Sequence, residues 1–458
     1  MYSNFAMSLW ERLHTRFQDT AVVLVDHGPE RREFTGRELS AMVEDAARRF
    51  ATQNVRRIGL CAPNSAELVA NFLGALRAGA AVVPFHAGTP RAELELRTAR
   101  FAVDLLLGPD DLTSSAPIDH ASPVLPNAYD APALLLSTSG TTGQPRAVVV
   151  SRRALSRHTS SLVDHVLGLG IGDRVLLALP LAHSYGCRMG LLAPLAAGAV
   201  IHLVPRFSAH ATLEILNHER ITWVPVVPTM LSAWVALEGA TLPDLRSVLS
   251  AGAPLPEGLR RRATERLGCE VREGYGLTEA SFSTVDISPP APGTVGPPVP
   301  GVEVRIVDGE VELRGDNVMD GYLDDPEATR AAFTPDGWLR TGDLGELVDG
   351  RLRILDRKKD IILRGGQTIY PAEVEHILAL HEAVAEVAVF GLPDPHLGER
   401  VAAAIVTRGP LDPKALRLWL GERLTPYKVP EDFYEVDSLP LGASGKVLKR
   451  VLRSRFVK

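Results

Sequence analysis

The stretch LLLSTSGTTGQPR at 134–146 constrains the fold more than any other part of this chain. A short apolar run, suited to a buried strand, passes directly into a loop of hydroxyls and glycines. Glycines let successive backbone N–H groups face one concavity, and such a nest binds phosphate oxygens. Thr138, Ser139, Thr141 and Thr142 add hydroxyl donors around Gly140 and Gly143, and Arg146 adds a fixed positive charge. An ordinary Ser/Thr-rich surface loop has the same composition, so both readings stand at this point. A Walker loop needs Gly-Lys followed by Ser or Thr. Gln144, Pro145 and Arg146 stand there instead, which excludes a P-loop nucleotidase.

A strand that opens into a phosphate loop fits an α/β chain, and the flanking sequence has that rhythm. Residues 34–110 alternate between helix-like ELSAMVEDAARRFA, strand-like RRIGLCA, helix-like SAELVANFLGALRAG and strand-like AAVVPF. The alternation resumes at ALLLS (133–137) and runs to about residue 269 through RVLLALP, AVIHLVP, ITWVPVVP and LRSVLSAG. Such runs predict parallel strands with crossover helices, here as two doubly wound α/β units. After residue 287 the composition shifts to SPPAPGTVGPPVPG, a linker. VEVRIVDG, EVELRG, GWLRTGDLGELVDG and RLRILD then predict an antiparallel, barrel-like β region, with hairpin turns at the Asp-Gly pairs 308–309, 336–337 and 349–350. Residues 356–458 mix a hairpin at RGGQTI, a helix at PAEVEHILALHEA, two strands, a helix at PKALRLWLGERL and a basic final helix. The expectation is a large N-terminal domain, 1–355, and a small α+β C-terminal domain, 356–458.

Composition narrows the function classes. The formal net charge is −6 over 458 residues, with 45% hydrophobic and 23% charged residues. There is no basic excess to hold a nucleic-acid backbone by counterion release. Cys61, Cys187 and Cys269 fit neither a zinc pattern nor a disulfide framework and read as reduced thiols. The start MYSNFAMSLWERLHTRF lacks the pattern of a signal peptide, and the apolar run 189–201 is broken by Pro194 and two glycines, too short for a membrane span. A cytoplasmic protein is expected; its oligomeric state is left open.

The loop at 134–146 resembles the phosphate loop of the adenylate-forming superfamily: acyl-CoA synthetases, peptide-synthetase adenylation domains and luciferases. Four further motifs follow in that family's order. YGLTE at 275–279 resembles its YGxTE motif, and Gly321-Tyr322 with TGD at 341–343 resembles its GYW and TGD pair. DRKKD at 356–360 with RGGQTIYPAEVE at 364–375 resembles the hinge and the loop after it, and SGK at 444–446 the catalytic-lysine motif. The likeness covers nearly the whole chain, and the pattern is closest to acyl- or aryl-CoA ligases.

The resemblance implies a two-step reaction. Acid and ATP give acyl-AMP and pyrophosphate, and a thiol then takes the acyl group. CoA is the expected thiol, with a carrier protein's phosphopantetheine as the alternative; ATP and Mg²⁺ are the other cofactors. Glu279 would anchor Mg²⁺, which favours one or two carboxylates plus phosphate oxygens; a helix N-terminal carboxylate is its bland reading. Thr278 would donate to the α-phosphate. Asp343 would accept both ribose hydroxyls, unless it is a turn aspartate, and Arg357 would assist. Gly252, Ala253 and Pro254, with Glu273, Gly274, Tyr275 and Gly276, would form the adenine slot, with Tyr275 stacking on the base. Lys446 would bridge carboxylate and phosphate. Lys359 would be the hinge, and Gly365 and Gly366 would reach the thiol tunnel.

The acid pocket falls to PLAHSYGC at 180–187. His183, Ser184, Tyr185, Trp223, Gly252 and Gly276 would line it. His183 would gate it or meet the carboxylate; a histidine after a strand is otherwise structural. Peptide-synthetase domains carry an aspartate here for an α-ammonium group. Its absence points to a small carboxylic acid without an α-amine. Arg188 either turns into the pocket toward a second carboxylate or pairs elsewhere. Two departures stand out: Arg146-Ala147 replaces the usual Lys-Gly, and the chain is short before the phosphate loop.

Overall fold

The computed structural model describes residues 9–113, 129–138, 146–237, 242–287, 289–442 and 447–457. The chain opens with helix Leu9–Phe17, then the hairpin β1 (Val22–His27) and β2 (Arg31–Thr35). Helix Gly36–Thr52 starts on a capping box: Glu38 N–H donates to Thr35 Oγ1 at 3.2 Å, and Thr35 N–H donates to Glu38 Oε2 at 2.8 Å. β3 (Arg57–Cys61), β4 (Ala81–Phe85), β5 (Leu105–Leu107), β6 (Pro132–Thr138) and β7 (Arg146–Ser151) follow. Next come β8 (Arg174–Leu177), β9 (Val200–Leu203), β10 (Trp223–Val226), β11 (Ser247–Ser250), β12 (Glu270–Leu277) and β13 (Ser281–Val285).

These strands make two sheets. One has the order β16-β7-β6-β4-β3-β5, where β16 is Gly321–Tyr322; the other has the order β13-β12-β11-β10-β8-β9-β1-β2. Helix Ala66–Arg77 is buried along nearly its whole length and packs on β3 and β4 of one sheet and β1 of the other. An all-round apolar helix of this kind needs cover on several sides, and the two sheets and helix Gly36–Thr52 supply it. Gly74 in this helix faces Ala46 so closely that a Cβ would lie 2.6 Å from the alanine methyl.

The α/β expectation holds, with corrections in detail. β6 belongs to the first unit, not the second. It pairs parallel with β4 (Val82 beside Leu134) and antiparallel with β7, the next described strand. The second sheet takes its far edge from β1 and β2, which precede both units in sequence.

The β region consists of β14 (Val302–Val307), β15 (Glu310–Gly315), β17 (Leu339–Val348) and β18 (Arg351–Arg357), in the order β14-β15-β17-β18. It is a four-stranded antiparallel sheet rather than a barrel, because no pairing joins β14 to β18 among the described residues. Asp308 and Gly309 (φ 50° and 79°) and Asp349 and Gly350 (φ 49° and 75°) make the expected hairpin turns with both residues left-handed. At 336–337 only Gly337 is left-handed (φ 84°), and that turn closes a single bridge between Phe333 and Leu339.

Beyond Arg357 the chain builds separate cores on a second small sheet. β19 (Ile362–Arg364) and β20 (Gln367–Ile369) form a hairpin; β21 (Val384–Asp394), β22 (Gly398–Thr407) and β23 (Asp432–Glu435) complete the sheet. Alternate residues face opposite sides. Val389, Val401, Ala403 and Ile405 pack on helices Pro371–Leu378 and Pro413–Gly421, while Ala388, Phe390, Ala402 and Ala404 pack with Leu452 of helix Lys449–Phe456. No described helix is long and apolar enough to cross a membrane.

Candidate active site

Ligands of open α/β sheets bind outside the carboxyl ends of the strands. Here those ends gather the sequence motifs. The register pairs Ser250 of β11 with Glu273 of β12, so the Gly252, Ala253, Pro254 turn lies beside Glu273, Gly274 and Tyr275. Gly252 is left-handed (φ 87°), a conformation that favours glycine. Burial pushes the Glu273 carboxyl up to about 8, with Arg260 opposing the shift and Asp286 and Glu257 adding to it. Two further glycines are forced by close approach. A Cβ on Gly274 would lie 2.6 Å from Phe282 Cε1, and one on Gly276 would lie 1.8 Å from the Ser281 carbonyl oxygen.

Tyr275 reaches from β12 to the β region. Its hydroxyl donates to Asp343 Oδ2 at 2.7 Å, while Arg357 Nε lies 3.3 Å from Asp343 Oδ1. The β17–β18 register sets Asp343 opposite Arg357, and Asp343 N–H donates to Thr341 Oγ1 at 3.0 Å, which fixes the turn. Burial, then the Asp343 charge, raises the Tyr275 phenol well above its ordinary value, so it stays a donor. A buried carboxylate flanked by a phenol and a guanidinium is thus presented on a rigid strand.

Thr138 and Arg146 face each other across the β6–β7 hairpin. Ser139, Gly140, Thr141, Thr142 and Gly143 lie outside the described residues. β16 lies along β7, with Tyr322 beside Val148, and this brings Tyr322 under Arg146. The guanidinium carbon sits 5.4 Å from the Tyr322 ring centroid, and Arg146 Nε lies 3.3 Å from Asp325 Oδ2. The Tyr322 hydroxyl donates to Glu279 Oε1 at 3.1 Å. One carboxylate oxygen of Glu279 is thereby fixed and the other is left for a hard cation, a donor set that suits Mg²⁺. The sequence marks Gly321-Tyr322 as a motif ahead of TGD but gives Tyr322 no role; the structure supplies one. Thr278 sits in the turn directly after β12.

His183, Ser184 and Tyr185 follow β8. The rings of His183 and His86 are 6.4 Å apart, so the ends of the two sheets meet here. Tyr185 donates its hydroxyl to the Leu249 carbonyl, and its ring lies 5.0 Å from that of Phe282. Trp223 does not join them. It begins β10 and lines a different cavity, of about 700 Å³, with Leu167, Ser247 and Cys269 at the opposite ends of the strands. The pocket side of β10 is its exit, where Val227 approaches Gly252, not its entry.

Arg188 is 1% exposed. Neither solvent nor an aspartate receives it. Its Nη2 donates to His158 Nδ1 at 3.0 Å, and His158 Nε2 donates to the Phe282 carbonyl at 2.8 Å. Arg188 Nε and Nη1 have no hydrogen-bond partner among the described residues. Burial lowers the arginine to about 10, so it remains a cation at neutral pH. Burial, and then the Arg188 charge, holds His158 well below its ordinary value, so the imidazole is neutral. A buried cation is therefore balanced here by a neutral ring alone, two hydrogen bonds from the Phe282 that packs on Tyr185.

In the C-terminal part, Lys359 sits in an exposed turn after β18. Gly365 and Gly366 (φ 55° and 79°) form the β19–β20 turn, and Gly365 N–H donates to the Leu397 carbonyl at 2.7 Å. Lys446 lies outside the described residues. The structure adds a partly buried linkage at this boundary. Asp356 Oδ2 accepts from Ala372 N–H at 2.8 Å, and Lys449 Nζ lies 2.7 Å from Glu375 Oε1. Burial works to lower Lys449, but the Glu375 and Asp356 charges outweigh it and raise the ammonium.

The comparisons with known proteins agree with this geometry. Residues 10–323 match the family model described as AMP-binding enzyme, and residues 373–446 match the AMP-binding enzyme C-terminal domain. The sulfoacetate–CoA ligase of Cupriavidus necator is 38% identical over 77% of this chain and 73% of its own length. ATP-bound MatB from Rhodopseudomonas palustris superposes with a TM-score of 0.90 at 27% identity, covering 98% of this chain and 99% of that one. The o-succinylbenzoate CoA synthetase MenE of Bacillus subtilis, in complex with ATP and magnesium ion, gives a TM-score of 0.84 at 30% identity, covering 96% of this chain and 98% of that one.

Proposed function

This chain belongs to the AMP-binding enzyme family and is an ATP-dependent, AMP-forming acid–CoA ligase, and we propose that its acid carries a second anionic group received by Arg188. ATP with Mg²⁺ and CoA are the other reactants. In the first step an oxygen of the acid's carboxylate attacks the α-phosphorus. The new O–P bond forms as the bond to the bridging oxygen breaks, and pyrophosphate leaves with that electron pair. In the second step the CoA sulfur attacks the acyl carbon, the bond from that carbon to the AMP oxygen breaks, AMP leaves with the electron pair, and the thiol proton is released to solvent.

Two anions must meet in the first step, so catalysis is chiefly positioning and electrostatic stabilisation. Asp343, held by Tyr275 and Arg357, takes the ribose hydroxyls. Glu279, oriented by Tyr322, would hold Mg²⁺, which would supply charge neutralisation at the phosphates. Thr278 and Arg146 serve the phosphate end, with the loop at 139–145. Lys446 bridges the reacting anions, Lys359 is the pivot of the C-terminal domain, and the Gly365-Gly366 turn belongs to the thiol step. His183, Ser184, Tyr185, Gly252, Gly274, Gly276 and Phe282 surround the acid.

The observation that carries the substrate class is the Arg188 guanidinium, buried with a neutral partner and two unpaired nitrogens. An uncompensated buried cation costs several kcal/mol, and an anionic ligand group recovers that cost. Sulfoacetate and o-succinylbenzoate, named for two of the relatives, each carry such a group beside the reacting carboxylate.

The test compares kcat/KM for paired acids, a dicarboxylate or sulfocarboxylate against its neutral isostere, in the wild type and in Arg188→Met. The wild type should prefer the doubly anionic acid by at least about 30-fold, matching the roughly 2–5 kcal/mol of a buried charge partner. Arg188→Met should erase or invert the preference. A wild-type preference for neutral aryl or fatty acids, unchanged in Arg188→Met, refutes the assignment.

A further inference from the structure

A second polar cluster lies toward the β1–β2 edge of the eight-stranded sheet, on the far side from β12 and β13. It joins three segments that are distant in sequence. His27 closes β1, His202 lies in β9, and Glu219 follows helix Ala209–His218. The parallel β1–β9 register, with Val25 beside His202, puts the two histidines close together.

The donor atoms converge. His27 Nε2 lies 3.2 Å from His202 Nδ1, His202 Nδ1 lies 3.8 Å from Glu219 Oε2, and all three donor atoms lie within 4.8 Å of one another. A tetrahedral ion with ligands at about 2.0–2.1 Å holds its ligand atoms about 3.4 Å apart, so this spacing needs only side-chain adjustment. His202 is fully buried, and its Nε2 has no partner among the described residues, so the ring makes its polar contacts through Nδ1 alone.

The surroundings hold the carboxylate in place. Arg31 donates to Glu219 from Nε at 2.8 Å and from Nη2 at 3.2 Å, and Arg174 Nη1 donates to the Glu219 backbone carbonyl at 2.9 Å. Both arginines oppose a cation at the cluster, which argues for modest affinity. They also border a cavity of about 320 Å³ that His202 and Glu219 line, along with Arg16, Asp19 and Glu33. The cavity meets the cluster at His202 and Glu219, where the arginines favour an anion.

We propose that His27, His202 and Glu219 bind a divalent transition ion of the Zn²⁺ class, fastening the edge hairpin and the end of helix Ala209–His218 to β9, apart from the adenylation site. Two imidazoles and one carboxylate suit Zn²⁺, Co²⁺ or Ni²⁺ and not Mg²⁺.

The experiment uses the full chain, stripped of metal and titrated with Zn²⁺ by calorimetry and with Co²⁺ by visible absorption. The wild type should bind one equivalent, show the intense visible bands of tetrahedral Co²⁺, and melt at a higher temperature with Zn²⁺ present. His27→Gln and Glu219→Gln, each checked for folding by circular dichroism, should bind at least about tenfold more weakly, since losing even an outer partner of a ligand costs 10-fold to 100-fold. Two variants keep the test standing if one fails to fold. No saturable binding by the wild type, or binding unchanged in the folded variants, overturns the proposal.

Discussion

Arg188 donates from Nη2 to His158 Nδ1 at 3.0 Å, and this bond fixes the tautomer of a fully buried histidine. The Phe282 carbonyl on the other side can only accept, so Nε2 carries the proton and Nδ1 is bare. His158 thus relays the position of β13 to Arg188 and anchors the arginine without neutralising it.

Replacing His158 should therefore be costly to folding. His158→Leu leaves an arginine donor and a buried carbonyl unpaired, for a loss of about 2–4 kcal/mol in urea denaturation. A loss under about 0.5 kcal/mol shows that the pair relaxes freely and does not define the site.

The Tyr275–Asp343–Arg357 arrangement predicts a graded effect on ATP. Asp343→Asn removes the charge that Arg357 meets and one acceptor for ribose, and should raise the KM for ATP by about 10-fold to 100-fold, on the order of 1.4–3 kcal/mol. Tyr275→Phe removes one hydrogen bond, about 1 kcal/mol, and should raise it several-fold. Equal ATP dependence of both variants and the wild type removes Asp343 from the nucleotide site.

Arg146 holds its guanidinium over Tyr322 and beside Asp325. Arg146→Lys should stay active, whereas Arg146→Ala should need more ATP, by roughly tenfold for a lost phosphate contact. Initial rates of pyrophosphate release against ATP concentration measure this. An unchanged ATP curve in the alanine variant places the guanidinium away from the phosphates.

Glu273 predicts a pH dependence of stability. Its folded-state value, about 8, is above that of an exposed glutamate. Below the unfolded value, about 4.3, both states hold the proton and there is no penalty. As pH rises from there to about 8, the unfolded chain ionises first and stability falls. Glu273→Gln should thus stabilise the protein at pH 8 by roughly 2–4 kcal/mol and leave it nearly unchanged at pH 4.5, by denaturant midpoints. An equal difference at both pH values shows that ionisation of Glu273 is not the cause.

The two half-reactions should separate. Lys446→Ala should lose most adenylate formation, by about 100-fold or more, yet still make thioester from supplied acyl-AMP. Lys359→Pro, which fixes φ in the turn after β18, should spare adenylation and block thioester formation. Parallel loss of both half-reactions in Lys446→Ala refutes the division of labour.

Much of the chemistry was legible in the sequence because it is local. The phosphate-loop stretch at 134–146, YGLTE at 275–279 and TGD at 341–343 set side-chain types and backbone turns within a few residues of one another. The Asp-Gly hairpins at 308–309 and 349–350 were readable for the same reason, since a left-handed pair of residues selects the turn. The resemblance named Gly252 to Pro254 and Glu273 to Tyr275 together, and the β11–β12 register sets the two segments side by side at strand exits.

Other features depend on contacts between distant segments. Periodicity marked β6 as a strand, but pairing placed it beside β4 in the first sheet. Trp223 was correctly put on a strand and wrongly put at its pocket end, because alternation says which face a residue takes and not which end meets the ligand. Arg188 read as pocket or surface from its neighbours; its burial beside His158, 30 residues earlier, excludes the surface. His27, His202 and Glu219 carry no common motif and meet only because β1 crosses the fold to pair with β9. Sequence alone determined the chemistry available within each turn and strand, where a few torsions decide the outcome. The partners of buried charges were decided by tertiary packing, because a buried polar group takes whichever donor or acceptor the assembled sheets bring within about 3 Å.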